Sequence, residues 1–208
     1  MVISFYGEGC FKIQSGETVL LVDPINSSSG LTQPRFKFDI ELKTLMVFPV
    51  PQSSILNPQS SIYGPGEYNI KDIDISGIGL TSESSNKFIK NIFIATAEGV
   101  KMCFLGHISE MPEADVLEKL EEIDILFMPA GGKPFIDQKL AVKLIKQINP
   151  KIVAPSFYKI SGLKRPAGDL KIFLEEGGYK KAEQQEKLTI KKKDLAEIKK
   201  TELISLNV

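Results

Sequence analysis

Apolar positions follow two rhythms along the chain. In the first half they form short β-rich runs at residues 2–6, 10–13 and 18–22, set apart by the turn signals GEG and SGE, which predicts an antiparallel meander. Arg35, Lys37 and Asp39 then alternate with Phe36, Phe38 and Ile40, the pattern of an edge strand or a covering segment. Residues 45–48, LMVF, suit a buried strand that Pro49 and Pro51 end by removing backbone donors. Gly64-Pro65-Gly66-Glu67-Tyr68 reads as a rigid turn, residues 72–80 as a half-buried strand, and 91–96 with 100–105 as a hairpin ending at Gly106-His107.

The second half alternates helix and strand. Ala114, Leu117, Leu120 and Ile123 share one helical face, and residues 125–128 follow as a buried strand. Asp137 is placed to cap a helix whose apolar face is Leu140, Ala141, Leu144, Ile145 and Ile148, stopped at Asn149-Pro150. Residues 152–154 form the next strand, 169–176 a helix ended by Gly177-Gly178, and 189–190 and 202–206 terminal strands. The expected class is α/β, with residues 1–208 as a single domain, since no linker or repeat divides the 208 residues.

Charge narrows the partners. Lys plus Arg and Asp plus Glu are both 26, so no overall field recruits nucleic acid or an anionic membrane. Residues 191–193 and 199–200 are lysines, but Glu183, Glu186, Asp194 and Glu197 are interspersed and no aromatic platform accompanies them. The apolar runs are too short to span a bilayer, and MVISFYGEG lacks the basic start and long apolar core of a signal peptide, so a cytoplasmic location is expected. Cys10 and Cys103, far apart and without CxxC spacing, read as reduced, buried thiols.

The chain holds one histidine, His107, and this restricts the chemistry most. A hydrolytic zinc site takes three protein ligands, mostly imidazole or thiolate, and leaves one position for water. Here such a set requires His107, Cys103 and carboxylates such as Glu8, Asp23 or Glu67 to converge. Asp23, directly after an apolar run, is suited either to orienting a catalytic group or to capping a loop. The loop after Phe48 offers Pro49, Val50, Pro51, Gln52, Ser53 and Ser54, with no strong base, acid or metal ligand among them.

FYGEGCFKI, TVLLVDP, GPGEY, CFLGHIS, DILFMPAGG and KIVAPSFYKI occur in that order. Together they resemble the metallo-β-lactamase superfamily, in its branch of zinc-dependent hydrolases similar to L-ascorbate-6-phosphate lactonase. The resemblance implies a four-layer α/β/β/α sandwich with its site in a cleft at one edge of two sheets. It also implies an HxHxDH loop, a further histidine, a bridging aspartate and a last histidine as metal ligands. Carried onto this chain, the loop positions hold Pro49, Pro51, Ser53 and Ser54, and residues 81–87 supply no further histidine. His107 stands where the bridging aspartate is expected, and Phe157 where the last histidine is. Proline, serine and phenylalanine do not replace imidazole and carboxylate ligands, and without a metal there is no metal-activated water.

Two functions compete. The first is a metal-free relative acting as a binding or assembly module for a small molecule or protein, its emptied cleft lined by Pro49, Pro51, Phe104, Phe157, Ser53, Ser54 and His107, or packed shut. No cofactor is expected in that case. The second is a residual hydrolase, using zinc in an altered site or metal-free acid–base chemistry at His107, with Asp23, Ser53 and Ser54 as the other candidate catalytic residues. Self-association into a homo-oligomer through an open sheet edge or the Phe36 and Phe38 segment is compatible with either.

Overall fold

The structure, a computed structural model, describes residues 1–49 and 61–208. Its opening runs are strands β1 (Val2–Phe5), β2 (Phe11–Ser15) and β3 (Thr18–Val22), paired as antiparallel neighbours. A short 3₁₀ turn, Ser27–Ser29, follows, capped by the Asn26 side chain on the Ser28 amide. Strand β4 (Ile40–Leu42) then runs parallel to β3, β5 (Leu45–Val47) crosses to the other sheet, and β6 (Ser61–Ile62) pairs with β4. Strands β7 (Gly66–Ile70), β8 (Ile73–Gly79), β9 (Phe88–Ala97) and β10 (Val100–Phe104) form an antiparallel run.

Parallel pairing takes over in the second half. Helix α1 (Ala114–Lys119) leads to β11 (Ile125–Pro129), and α2 (Gln138–Ile148) to β12 (Ile152–Ser156). Helix α3 (Leu170–Gly177) precedes β13 (Glu183–Gln185) and β14 (Leu188–Thr189), and the short α4 (Lys192–Leu195) precedes β15 (Glu202–Leu206). Asp137 and Asp169 cap α2 and α3 through the amides of Lys139 and Lys171, and Asn149 and Gly178 end them in left-handed conformation. The Asp137 cap and the two terminations are the signals read from the sequence, whereas Asp169, expected as the first helical residue, is the cap before it.

Among the described residues, one sheet runs β14-β1-β2-β3-β4-β6, and the other runs β13-β15-β12-β11-β10-β9-β8-β7 with β5 added on β9. Their inner faces meet through aromatic contacts: Phe11 of the first sheet meets Phe127 of the second at 4.5 Å, and Phe127 stacks on Phe104 at 4.3 Å. Each such fully buried side chain stabilises the fold by roughly 1.5–3 kcal/mol in apolar burial. The outer face of the first sheet carries a smaller cluster of Cys10, Leu21 and Ile25, covered by Tyr6, Leu31, Phe36 and Phe38. The Phe36 and Phe38 stretch is therefore a covering segment and not a strand. The expected α/β sandwich is present.

Several local expectations are corrected. Residues 45–48 do not form a buried strand: only Met46 is buried, and Val47 is 51% and Phe48 37% exposed, because β5 packs on one side alone. In GPGEY, the last three residues belong to β7, where Glu67 pairs across from Ser76, so only Gly64-Pro65 turns. Within α1 the buried residue is Val116, and Ala114 is exposed. In α2 Leu140 is exposed and Val142 takes its place on the buried face. No helix among the described residues is long and apolar enough to cross a membrane.

Candidate functional site in the interstrand cleft

Strands β3, β4, β10 and β12 deliver their following residues to one place. Asp23 follows β3, Thr44 lies two residues beyond β4, His107 follows β10 across Gly106, and Phe157 follows β12. Chain ends of neighbouring parallel strands commonly converge in this way at sites in α/β proteins.

The polar centre is a chain of three side chains. The Thr44 amide donates to Asp23 Oδ1 at 2.8 Å, and the Thr44 hydroxyl donates to Asp23 Oδ2 at 2.6 Å. Thr44 Oγ1 lies 2.7 Å from His107 Nδ1, whereas Asp23 Oδ2 is 3.8 Å from that nitrogen. Thr44 thus stands between the carboxylate and the imidazole, and it fixes which ring nitrogen faces inward. Burial pushes the Asp23 carboxyl up to about 7, against the lowering effect of the two Thr44 bonds. Burial, with the Lys90 and Arg165 charges, pushes His107 down to about 3. The pair is consequently held largely uncharged at low dielectric.

A second polar unit closes the other side. Arg165 Nε lies 2.9 Å from both Glu8 oxygens, and its Nη2 donates to Glu8 Oε2 at 2.6 Å and to the Phe157 carbonyl at 2.8 Å. The guanidinium also lies over the Phe135 ring, 4.9 Å from its centroid. This fork ties together segments separated by 157 residues in sequence. The Phe157 ring packs edge-on to His107 at 4.9 Å and against Phe135 at 4.3 Å. It lies so close over Gly9 that a Cβ there would come within 2.3 Å of Phe157 Cζ. Glu8, Asp23 and Phe157 all have positive φ, at 54°, 42° and 55°, so three backbone positions that disfavour side chains border one cleft.

The described residues bound a cavity of ≈ 640 Å³ here. Met46, Leu45, Phe135 and Phe157 form apolar walls, and Asn26, Ser27, Gln33 and Lys43 offer polar groups. Of the sequence candidates, Asp23 and His107 meet across Thr44, and Glu8 lies on the same cleft. Glu67 instead accepts from Ser76 on β8, and Phe104 is buried between the sheets and does not line the cleft. Pro51, Ser53 and Ser54 lie outside the described residues. Cys10 and Cys103 are free and buried, their thiols pushed up by burial, Cys10 to about 12. Thr44, Phe135 and Arg165 carry no sequence signal of their own, because their roles come from contacts 21 to 157 residues away.

The molecule is an α/β sandwich of the metallo-β-lactamase type. Residues 2–156 match the beta-lactamase superfamily domain, and the chain belongs to that superfamily. It is 22% identical over 185 residues to a UPF0173 metal-dependent hydrolase of Natranaerobius thermophilus, covering 76% of this chain and 83% of that protein. It shares its fold with an inferred Zn-dependent hydrolase of the metallo-beta-lactamase superfamily from Thermotoga maritima, with TM-score 0.78, 21% identity, and 99% and 97% of the two chains covered. A metallo hydrolase of Ignicoccus hospitalis is similar at TM-score 0.64 and 14% identity, over 100% and 96% of the chains.

Metal dependence in such relatives makes the donor set the deciding test, and the residues present do not fit a metal. No three His, Cys, Asp or Glu side chains converge suitably among the described residues, and residues 50–60 contain none of these types. Asp23 and the inner nitrogen of His107 are turned to Thr44, and Glu8 is bound by Arg165. The outer nitrogen of His107 is open to an ion, but to gain two further ligands a divalent ion would have to take Asp23 from Thr44 and Glu8 from Arg165.

Proposed function

We propose that this chain is a metal-independent member of its superfamily and works as a binding module, not as a metal-dependent hydrolase. One observation carries the reading: the cleft's own acids are committed to Thr44 and Arg165, which leaves a single His107 nitrogen as the open donor to a metal. The open ≈ 640 Å³ cavity, of a size that suits a small molecule, favours binding over a merely packed relic. In this reading the chain acts as one cytoplasmic domain on a small molecule or protein, without nucleic acid.

A second reading, metal-free acid–base hydrolysis, draws on the neutral His107 that lines the cavity with its outer nitrogen unbonded among the described residues. No serine or cysteine among those residues bonds the ring, and the Thr44 hydroxyl that does is fully buried and spends its hydrogen on Asp23, so no accessible activated nucleophile accompanies it. Thermal unfolding with zinc and with chelator separates binding-module and metalloenzyme readings. Equal melting temperatures are expected, since a ligand that does not bind the folded state cannot stabilise it. A zinc-dependent rise, or chelator-resistant turnover of simple esters and lactones lost in His107→Gln, would overturn the proposal.

A further inference from the structure

The cavity has a polar pattern that selects among small molecules. Lys43 lines it with only 12% of its side chain exposed, and its one ion pair among the described residues, to Glu41 Oε2, is long at 3.7 Å. Glu41 is fully buried, receives the Ser61 hydroxyl on the same oxygen, and has no partner for its Oε1 among the described residues. The lysine is therefore held near a carboxylate that does not fully engage it, on the wall of the cavity. The other lining cation, Arg165, is already occupied by Glu8, Phe157 and Pro166 oxygens. Among the described residues that line the cavity, Lys43 is then the cation left for a ligand, which suits a monoanion better than a dianionic phosphate.

His107 sets the second requirement. Its Nδ1 is joined through Thr44 to Asp23, and no described residue bonds Nε2. The Thr44 hydroxyl spends its one hydrogen on Asp23, so Nδ1 donates to Thr44 and Nε2 is left to accept. A ligand hydroxyl supplies the donor that Nε2 needs. The intervening walls are apolar and aromatic: Met46, Leu45, Phe135 and Phe157.

Resting on the binding-module reading, we infer that the cleft takes a small apolar-bodied hydroxycarboxylate, its carboxylate on Lys43, its hydroxyl on His107 Nε2 and its body against Phe157 and Phe135. The class joins one charge, one hydroxyl donor and an apolar body, each matched by a residue of the wall. Glu41 is then the residue that positions the lysine rather than one that touches the ligand.

The test is calorimetry on the full chain with 3-phenyllactate and 2-hydroxyhexanoate, each beside its primary amide and its deoxy analogue, in chelator and again with zinc. Binding of at least one hydroxy acid is expected, with the amide at least about tenfold weaker and the deoxy acid about fivefold weaker, the sizes of one charge-assisted and one neutral hydrogen bond. Lys43→Met is expected to close the gap between acid and amide. Acid and amide binding equally to the wild-type protein, or neither hydroxy acid binding below about 10 mM, overturns the inference whether or not the variant folds. Binding that needs added zinc contradicts the metal-free reading instead, and the comparison of acid with amide still decides the role of Lys43.

Discussion

Gly106→Ala is expected to destabilise the protein by about 3 kcal/mol or more, lowering its melting temperature by roughly 10 °C. Gly106 has φ +57°, and a Cβ there would lie 2.1 Å from Thr44 Oγ1, 2.2 Å from its Cβ and 2.5 Å from its Cγ2. Those contacts are well inside van der Waals range, and neither partner is free to move: Thr44 is buried and bonded to both Asp23 and His107. Gly16→Ala is the control, since Gly16 has φ +55° with nothing within 4 Å of the added carbon. It reports the left-handed backbone cost alone, about 1 kcal/mol. Urea unfolding followed by circular dichroism suits a chain without tryptophan. The difference between the two variants measures how tightly the Thr44 bridge is packed; equal losses would mean that the bridge is loose.

The second large effect lies in the pH dependence of stability, and it is hidden in the wild-type protein. Asp23 is raised to about 7, so the folded protein keeps a proton that the unfolded chain releases above about 3.9. Alone, this group makes stability fall as pH rises from about 4 to about 7. His107 is lowered to about 3, so the unfolded chain takes up a proton below about 6.5 that the folded protein refuses. Alone, it makes stability rise across about pH 3 to 6.5. Between about pH 4 and 6.5 the folded pair holds one proton on Asp23 and the unfolded pair holds one on His107, and the two slopes cancel. Asp23→Asn should therefore show stability rising with pH relative to wild type, by up to about 1.4 kcal/mol per pH unit. His107→Gln should show the opposite slope. Parallel curves for all three proteins would show that the pair is solvated and not buried.

Much of this architecture was legible in local pattern, because the signals used there are local. The meander, the Asp137 cap, and the Asn149 and Gly178 terminations each depend on residues a few positions apart, and all appear in the structure. The misreadings came where burial is decided by the partner sheet. LMVF looks like an interior strand, yet Val47 and Phe48 are exposed because β5 only adds to the side of β9. Leu140 fits the helical period but falls outside the strip that α2 buries.

The cleft was half visible. Asp23 and His107 stood out by residue type and by position at strand ends, and the family ligand positions drew attention to Phe157. What joins them did not stand out, since Thr44 is one threonine among several until β3 and β4 pair in register and bring it beside Asp23. Arg165 was equally silent, lying in a glycine- and proline-rich loop far from Glu8 in sequence. Both residues matter because each gives a largely desolvated acid its hydrogen bonds, Thr44 through its amide and hydroxyl to Asp23 and Arg165 as the cation on Glu8.

The central claim is that these internal partners, and not a metal, complete the cleft. Elemental analysis of untagged protein, exposed to zinc, iron and manganese and then exhaustively desalted, tests it most directly. Less than about a tenth of an equivalent of any metal is the expected result, in keeping with the absence of a three-ligand set among the described residues. One or two tightly held equivalents would contradict this, and would require Asp23 or Glu8 to leave the partners to which the structure binds them.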